Sequence, residues 1–289
     1  MKTILTLLFF SGSLALSAQS EKYKDFHLDK EYKFSSKGTL TLKCSDAKVF
    51  ISGSGRGNAK VKIDRVVESK GIVFGGHDEF NVEVEELDGN LEVRENKSYS
   101  YSGIVGYYNE KYTININLPD GASLIVKGDD GDYRVNNIDG AISIDMDDAD
   151  IELTACSGSD FKFKVDDGDI VMDEGKGKLD IDADDADVKI SRGAFASIHA
   201  DVDDGDLVIE TSLTDNGDYY INAQDGLIAL TVTNGGGKFD IRHDDARVVT
   251  EGNFKTIEES ESRTQLTLAS GSAKVDIRAD DAKVRLIKR

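Results

Sequence analysis

A four-residue word, Asp-Asp-(Gly/Ala)-Asp, constrains this chain more than any other feature. It stands at Asp129-Asp130-Gly131-Asp132, Asp147-Asp148-Ala149-Asp150, Asp166-Asp167-Gly168-Asp169, Asp184-Asp185-Ala186-Asp187 and Asp203-Asp204-Gly205-Asp206. Weaker copies follow at Gln224-Asp225-Gly226-Leu227, Asp244-Asp245-Ala246-Arg247 and Asp280-Asp281-Ala282-Lys283. Successive starts are 18, 19, 18, 19, 21, 20 and 36 residues apart, the last gap reading as two units with a degenerate copy between. Ser45-Asp46-Ala47-Lys48 has the same form far upstream. A fixed period near twenty residues marks a solenoid, whose units bury their apolar faces only against each other.

Within a unit the apolar residues alternate, then change phase. In Lys178–Arg192, Leu179, Ile181 and Ala183 alternate with Asp180, Asp182 and Asp184; then Ala186, Val188 and Ile190 alternate with Asp187, Lys189 and Ser191. Period two reads as strand. A one-residue slip turns every side chain to the other face unless the backbone bends to absorb it. The Asp pair must therefore be a corner between two strands. Asp suits a bend because its carboxylate can accept nearby backbone N–H groups. The Gly or Ala after it points inward, where a larger side chain would not fit. Turns such as Ser157-Gly158, Gly175-Lys176-Gly177 and Arg192-Gly193 close the unit. The expected fold is all-β: a single-stranded β-helix or β-solenoid with 18–20-residue repeats, right-handed by the general crossover preference. Gly and Ala alternate at the corners from 131 to 205, which also allows a rung twice as long, near 37 residues.

Residues 1–18 read as a secretory signal peptide: Lys2, an apolar run from Ile4 to Leu16, then Ser17-Ala18. The run is too short to span a bilayer core of about 30 Å. Residues 19–38 read as an N-terminal cap or linker and 39–289 as the solenoid, irregular over 39–128 and regular over 129–289. In the irregular part Thr39–Gly53 is one clear unit. Val61–Glu68, Phe80–Glu86 and Asn90–Glu95 alternate like longer strands, and Gly71–Gly76 reads as a loop. Arg285–Arg289 reads as a basic tail after a last strand. Cys44 falls on an inward position and Cys156 at a turn, so two cysteines build no disulfide framework.

Ser98–Tyr112 holds five of the ten tyrosines among Ser and Gly, a composition suited to an adaptable contact surface. Tyr99, Tyr101, Tyr107 and Tyr108 are the candidate contact residues, unless the segment is a hairpin laid over the open end of the stack. Charge narrows the partners. With 55 Asp+Glu against 35 Lys+Arg the net charge is −20, which disfavours nucleic acid and favours basic proteins or cation-bridged glycans.

The Asp words themselves invite a metal. Ca²⁺ takes several oxygen ligands at about 2.3–2.6 Å, and stacked strands stand about 4.8 Å apart. Asp147, Asp148, Asp166, Asp167, Asp184, Asp185, Asp203 and Asp204 could thus share ions between neighbouring corners. The words match neither the EF-hand loop nor the nine-residue repeat of Ca²⁺-binding β-rolls. Catalysis finds less support. General acid–base chemistry needs carboxylates in unlike environments, and these are near-identical copies. An acidic surface would also repel a polyuronate substrate. His27, His77, His199 and His243 have no metal or triad spacing. No catalytic residue and no other cofactor is expected; a polysaccharide-active β-helix enzyme is the weakest alternative.

The segment YTININLPDGASLIVKGDDGDYRVNNIDGAISIDMDDADIEL resembles a bacterial family of exported, adhesin-like β-solenoid proteins. The resembling pieces are a strand ending in Leu118-Pro119-Asp120-Gly121 and iterated Ser/Asp-Gly-Asp words, each followed by apolar alternation. Family words are more often Ser-Gly-Asp; here Asp-Asp-Gly-Asp and Asp-Asp-Ala-Asp replace them. The resemblance spans about residues 36–289. It implies a non-enzymatic adhesin-like or scaffold protein of the periplasm or cell surface, bound to an envelope protein or glycan, with no stable membrane insertion after signal cleavage. It transfers no site residues.

Overall fold

The computed structural model describes residues 25–75, 79–98, 102–244, 247–269 and 271–289. The fold is a β-solenoid, all-β among the described residues. Its regular part runs through β8 (Ser123–Asn136), β9 (Ile142–Thr154), β10 (Asp160–Asp204), β11 (Leu207–Thr211), β12 (Asp218–Asp225) and β13 (Leu227–Val232). Pairing is parallel: Leu124 opposes Ile142, Ile142 opposes Phe161, and Ser197 opposes Asp218. Cross-rung bonds link residues 18, 19 and 21 apart: Lys127–Asp145, Arg192–Asp173 and Asn222–Asp201. The rung is the short one, not the double unit near 37.

The phase slip is visible in β9. Ile142, Ile144 and Met146 are buried, Asp147 and Asp148 are both exposed, and burial resumes at Ala149, Ile151 and Leu153. Each rung thus lays one strand on a first face and, past the Asp corner, another on a second face, with the core between. The corner is tight for a definite reason. A Cβ on Gly131 would lie 2.4 Å from the Ala47 carbonyl oxygen, and one on Gly168 2.4 Å from that of Ala149. Gly168 also has φ +117°, a region closed to L side chains at low energy. The Gly/Ala alternation is therefore pairwise stacking: each Gly sits on the carbonyl of an Ala below it. Asp side chains seldom cap the bend. Asp187 Oδ1 accepts from Asp206 N, 2.8 Å, on the next rung. The turn ending each rung carries a second ladder, of left-handed residues: Asn137, Ala155, Glu174 and Arg192, φ +53° to +68°.

Both ends depart from sequence order. The rung of β2 (Thr39–Cys44) and β3 (Ala47–Ser54) stacks on β8, with Ala47 opposite Gly131, so the early Ser45-Asp46-Ala47-Lys48 word belongs to the corner column. On its other side lie β6 (Asn90–Ser98) and β7 (Ser102–Pro119). β6 pairs antiparallel with β5 (Glu79–Leu87); β7 pairs with β4 (Asn58–Gly75), and β4 with β1 (Phe26–Lys33). Gly71–Gly75 is not a loop but strand, because Gly71 to Gly75 pair with Gly106 to Ser102.

At the far end, β18 (Ala273–Ala279) and β19 (Lys283–Lys288) insert between β12/β13 and the rung of β14 (Gly237–His243) and β15 (Val248–Glu251). Among the described residues the 36-residue gap holds no degenerate rung. It holds an antiparallel hairpin, β16 (Lys255–Glu259) and β17 (Arg263–Leu268), that covers β14. Arg285–Arg289 is no tail: Val284 and Leu286 are buried and Arg285 points outward from β19 to Glu251, 2.5 Å. The outermost strand β5 carries Glu79, Glu83, Glu85 and Glu86, and charge on an edge discourages pairing with other chains.

Candidate functional site

Three surfaces gather the residues singled out from sequence. The first is the corner ladder. Asp147, Asp148, Asp166, Asp167, Asp184, Asp185, Asp203 and Asp204 are all exposed, since the slip turns both residues of each pair outward. Asp130, Asp148 and Asp167 follow one another in register. Lys164 reaches Asp166 at 3.4 Å, and Gln224 donates to Asp203 at 2.5 Å. Crowding registers electrostatically. A shared hydrogen bond with Asp46, some burial, and the charges of Asp46, Asp148 and Asp129 hold the Asp130 carboxyl above its ordinary value. Burial, then Asp150 and Asp187, do the same to Asp169. Among the described residues no three acidic, His or Cys side chains converge on a point where a metal could sit.

The second surface is a cavity of about 480 Å³ where β6 meets the first corner, lined among others by Cys44, Ser45, Glu95, Lys97 and Asp147. Glu95 accepts from Ser45 N at 3.0 Å and Ser45 Oγ at 2.9 Å. Burial nonetheless raises its carboxyl above the ordinary value. Lys97 lies 3.5 Å from Asp46. Cys44 is an inward residue, as its alternation requires, and contacts the Tyr133 hydroxyl at 3.6 Å. Burial pushes its thiol to about 12, so at neutral pH the cavity offers no thiolate nucleophile. Cys156 is also buried, and both cysteines are free.

The third surface is the ribbon of β4 and β7. It pairs without a break from Lys60–Asn117 to Gly75–Ser102. Tyr107 is 53% and Tyr108 40% exposed. As consecutive strand residues they lie on opposite sides of the ribbon. Tyr108 donates to Glu110, which also accepts from the fully buried Arg65 at 2.6 Å. Arg65 lies 4.2 Å over the Phe80 ring. Burial alone would push the Glu110 carboxyl up; the bonds from Arg65 and Tyr108 outweigh it and hold the carboxyl low. Tyr112 belongs to the core, edge-on to Phe80 at 5.1 Å. Tyr99, Tyr101 and the signal segment lie outside the described residues.

The pattern of the Toastrack DUF4097 family matches residues 38–286. The chain belongs to that family. Its match covers β2 to β18 and most of β19, the irregular 39–128 part as well as the regular Toastrack rungs. No curated protein matches the sequence. Solved structures with some likeness include a "putative cell adhesion protein" from Clostridium sporogenes, 15% identical over 92% of this chain and 99% of that one, TM-score 0.30. Another is a "putative adhesin" from Bacteroides fragilis, 11% identical over 90% and 97%, TM-score 0.37. Likeness this low adds nothing to the family assignment.

The buried Arg65–Glu110 pair beneath the ribbon had no signal in the sequence, because one charged residue on an alternating strand reads as an outward one. His243, on the inward phase of β14, is part-buried and bonds Thr264 at 3.1 Å; His199 faces outward and stacks on Tyr220 at 5.0 Å. No helix among the described residues is long and apolar enough to cross a membrane.

Proposed function

We propose that this chain is an exported, non-enzymatic, adhesin-like binding protein of the bacterial cell envelope, with an envelope protein or glycan as partner. One observation carries the reading. The inward half of every rung is consumed by the core, while the ribbon of β4 and β7 presents Tyr107 and Tyr108 on its two sides. Exposed tyrosine on a rigid two-stranded support is contact area at low entropic cost. The buried Arg65–Glu110 pair beneath it fixes the ribbon base. The test is retention on isolated envelope fractions of the producing bacterium at physiological salt. The wild-type chain should be retained and a Tyr107→Ala/Tyr108→Ala double variant should lose most of that retention. Equal retention of the two, or none by either, overturns the reading.

A second reading is calcium uptake at the corner ladder, by the eight Asp residues from Asp147 to Asp204. It is favoured by the in-register stacking of Asp130, Asp148 and Asp167 and by the neighbouring carboxylates that, after the Asp46 hydrogen bond and burial respectively, help raise the Asp130 and Asp169 carboxyls, since a divalent cation would relieve such repulsion. A thermal melt in EDTA and then in millimolar Ca²⁺ should show a higher midpoint with Ca²⁺. An unchanged midpoint removes this reading.

A further inference from the structure

Outward side chains on the first face form rows across the rungs. One row runs Asp201, Asn222, Arg278, Arg242, Arg263; the row beside it runs His199, Tyr220, Asp276, Asp240, Gln265. Three guanidiniums therefore stand on three successive strands, about 4.8 Å apart at the backbone. Like charges placed side by side on a sheet repel, so each needs a counter-charge.

At the opposite end of the same face the need is met. Arg94, Lys43 and Lys127 also stand on successive strands, and each has a carboxylate: Glu83 at 2.8 Å, Glu92 at 3.0 Å and Asp145 at 2.8 Å. Here only Arg263 is neutralised, by two bonds to Asp240 of 2.8 and 2.6 Å. Among the described residues no carboxylate lies within 4 Å of Arg242 or Arg278. The Tyr220 ring, between the stacked His199 and Arg278 (5.5 Å from its centroid), walls one side. A cavity of about 170 Å³ is lined by Tyr220, Asp240, Arg242, Asp276, Ile277 and Arg278, the Asp240 carboxylate being held by Arg263. At about 30 Å³ per water it has room for roughly six waters, or one sugar-sized group.

The polar groups define that group's chemistry. Arg242 and Arg278, with no carboxylate within 4 Å among the described residues, call for an oxyanion, best a planar carboxylate. Asp276, itself without a partner among the described residues, calls for a hydroxyl donor and repels a bare anion. An acidic peptide side chain satisfies the first and not the second. A sugar acid satisfies both, with carboxylate and hydroxyls on one ring. We propose that this cleft binds a uronic-acid unit of an acidic glycan, its carboxylate on Arg242 and Arg278 and a ring hydroxyl donating to Asp276. The proposal rests on the adhesin-like reading and names its ligand class. The net charge of −20 is screened beyond about 8 Å at 0.15 M salt, so the local balance of Arg242 and Arg278 against Asp276 and Asp240 governs the cleft.

The test is calorimetric titration of the mature chain with trigalacturonate, maltotriose and hexaglutamate. Trigalacturonate should bind and the other two should not. Arg242→Gln and Arg278→Gln should each weaken binding about tenfold or more, and Arg278→Lys by less. Asp276→Asn should let hexaglutamate in. Arg94→Gln, at the other end of the face, should change nothing, and melting curves check that each variant is folded. Equal binding of hexaglutamate by the wild type would make this an acidic-peptide site and overturn the proposal. So would no trigalacturonate binding, or unchanged binding in both Gln variants. If trigalacturonate fails while envelope retention through Tyr107 and Tyr108 persists, only this inference falls; if retention fails too, the adhesin-like reading falls with it.

Discussion

Replacing Gly168 by Ala tests the stacking logic of the corner directly. The new Cβ would stand 2.4 Å from the Ala149 carbonyl oxygen and 2.8 Å from its carbon, both backbone atoms of a paired strand that cannot swing aside. The residue would also have to hold φ at +117°. Strained backbone of this kind costs about 1–3 kcal/mol, and overpacking a tight site about 1–3 kcal/mol more. The expected loss is thus roughly 2–6 kcal/mol, or a midpoint lowered by about 5–15 °C for a chain of this size. Gly205→Ala is the internal control: its Cβ would meet the Ala186 oxygen at 2.3 Å, but no positive φ is required there. It should cost only the steric part, about 1–3 kcal/mol. Ala149→Gly should cost about 0.5–1 kcal/mol, and should not rescue Gly168→Ala, because the obstacle is a carbonyl and not a methyl. Thermal and urea unfolding followed by circular dichroism give the midpoints. Amide exchange on β9 and β10 shows whether the damage is local, as nearest-neighbour coupling in a solenoid requires. A Gly168→Ala variant within about 1 kcal/mol of wild type, or no worse than Gly205→Ala, would refute the pairwise account of the Gly/Ala alternation.

Glu110→Gln replaces the charged acceptor of the buried Arg65 by a neutral one and should cost about 1–3 kcal/mol at pH 7. Glu110's lowered carboxyl contributes stability above its unfolded value near 4.5, lost as pH falls through the folded value. The wild-type advantage in urea midpoint should therefore shrink below about pH 4, and a difference independent of pH would contradict it. Asp169 has the opposite sign. Its raised carboxyl stabilises the fold only while protonated, below the unfolded value near 3.8, and that contribution is gone at neutral pH. Asp169→Asn should raise the unfolding free energy at pH 7 by less than about 1 kcal/mol and leave it unchanged at pH 3. Neither Cys44 nor Cys156 should react with an aromatic disulfide reagent at pH 8 until the chain is unfolded, since burial raises both thiols. Rapid labelling of the native protein would show that one of them is not in the core.

The corner was legible because it breaks a strict alternation. An inward set moving from Ile142, Ile144, Met146 to Ala149, Ile151, Leu153 admits only a bend. What alternation cannot reveal is a strand's partner. Period two is the same in parallel and antiparallel pairs, so the β16–β17 hairpin read as a worn rung. Gly71–Gly75 read as a loop because local glycine preference outweighed a partner segment more than twenty-five residues away. Arg285–Arg289 drew attention as a run of charge although Val284 and Leu286 already alternate through it. The Arg242–Arg278–Arg263 row was illegible for a stronger reason. Its residues come from three segments set side by side by the insertion of β18, which no spacing along the chain announces.

That insertion makes a last prediction about how the stack is held. β18 and β19 contribute Val275, Ile277, Val284 and Leu286 to the core, about 6–12 kcal/mol of gross burial. They do so from an interior position, between β12/β13 and β14/β15. The mirror arrangement holds at the other end, where β2 and β3 lie between β8 and the β6/β7 layer. Closing these longer connections costs about 1 kcal/mol each beyond an ordinary rung step. In exchange, each inserted rung has neighbours on both sides instead of one and is kept from fraying. Removing residues 272–289 should therefore act unlike the loss of a terminal rung. β15 would keep no partner and β14 only β17, so residues 236–271 would have nothing to dock on. Limited proteolysis with mass analysis should then cut throughout 236–271 while the rungs up to Gly235, held by bonds from Thr233 to Thr211 and from Leu213 to Asn234, stay protected. If 236–271 remains protected in the truncated chain, β14 and β15 have re-docked on β12 and β13, and the inserted rung is dispensable to the order of the stack.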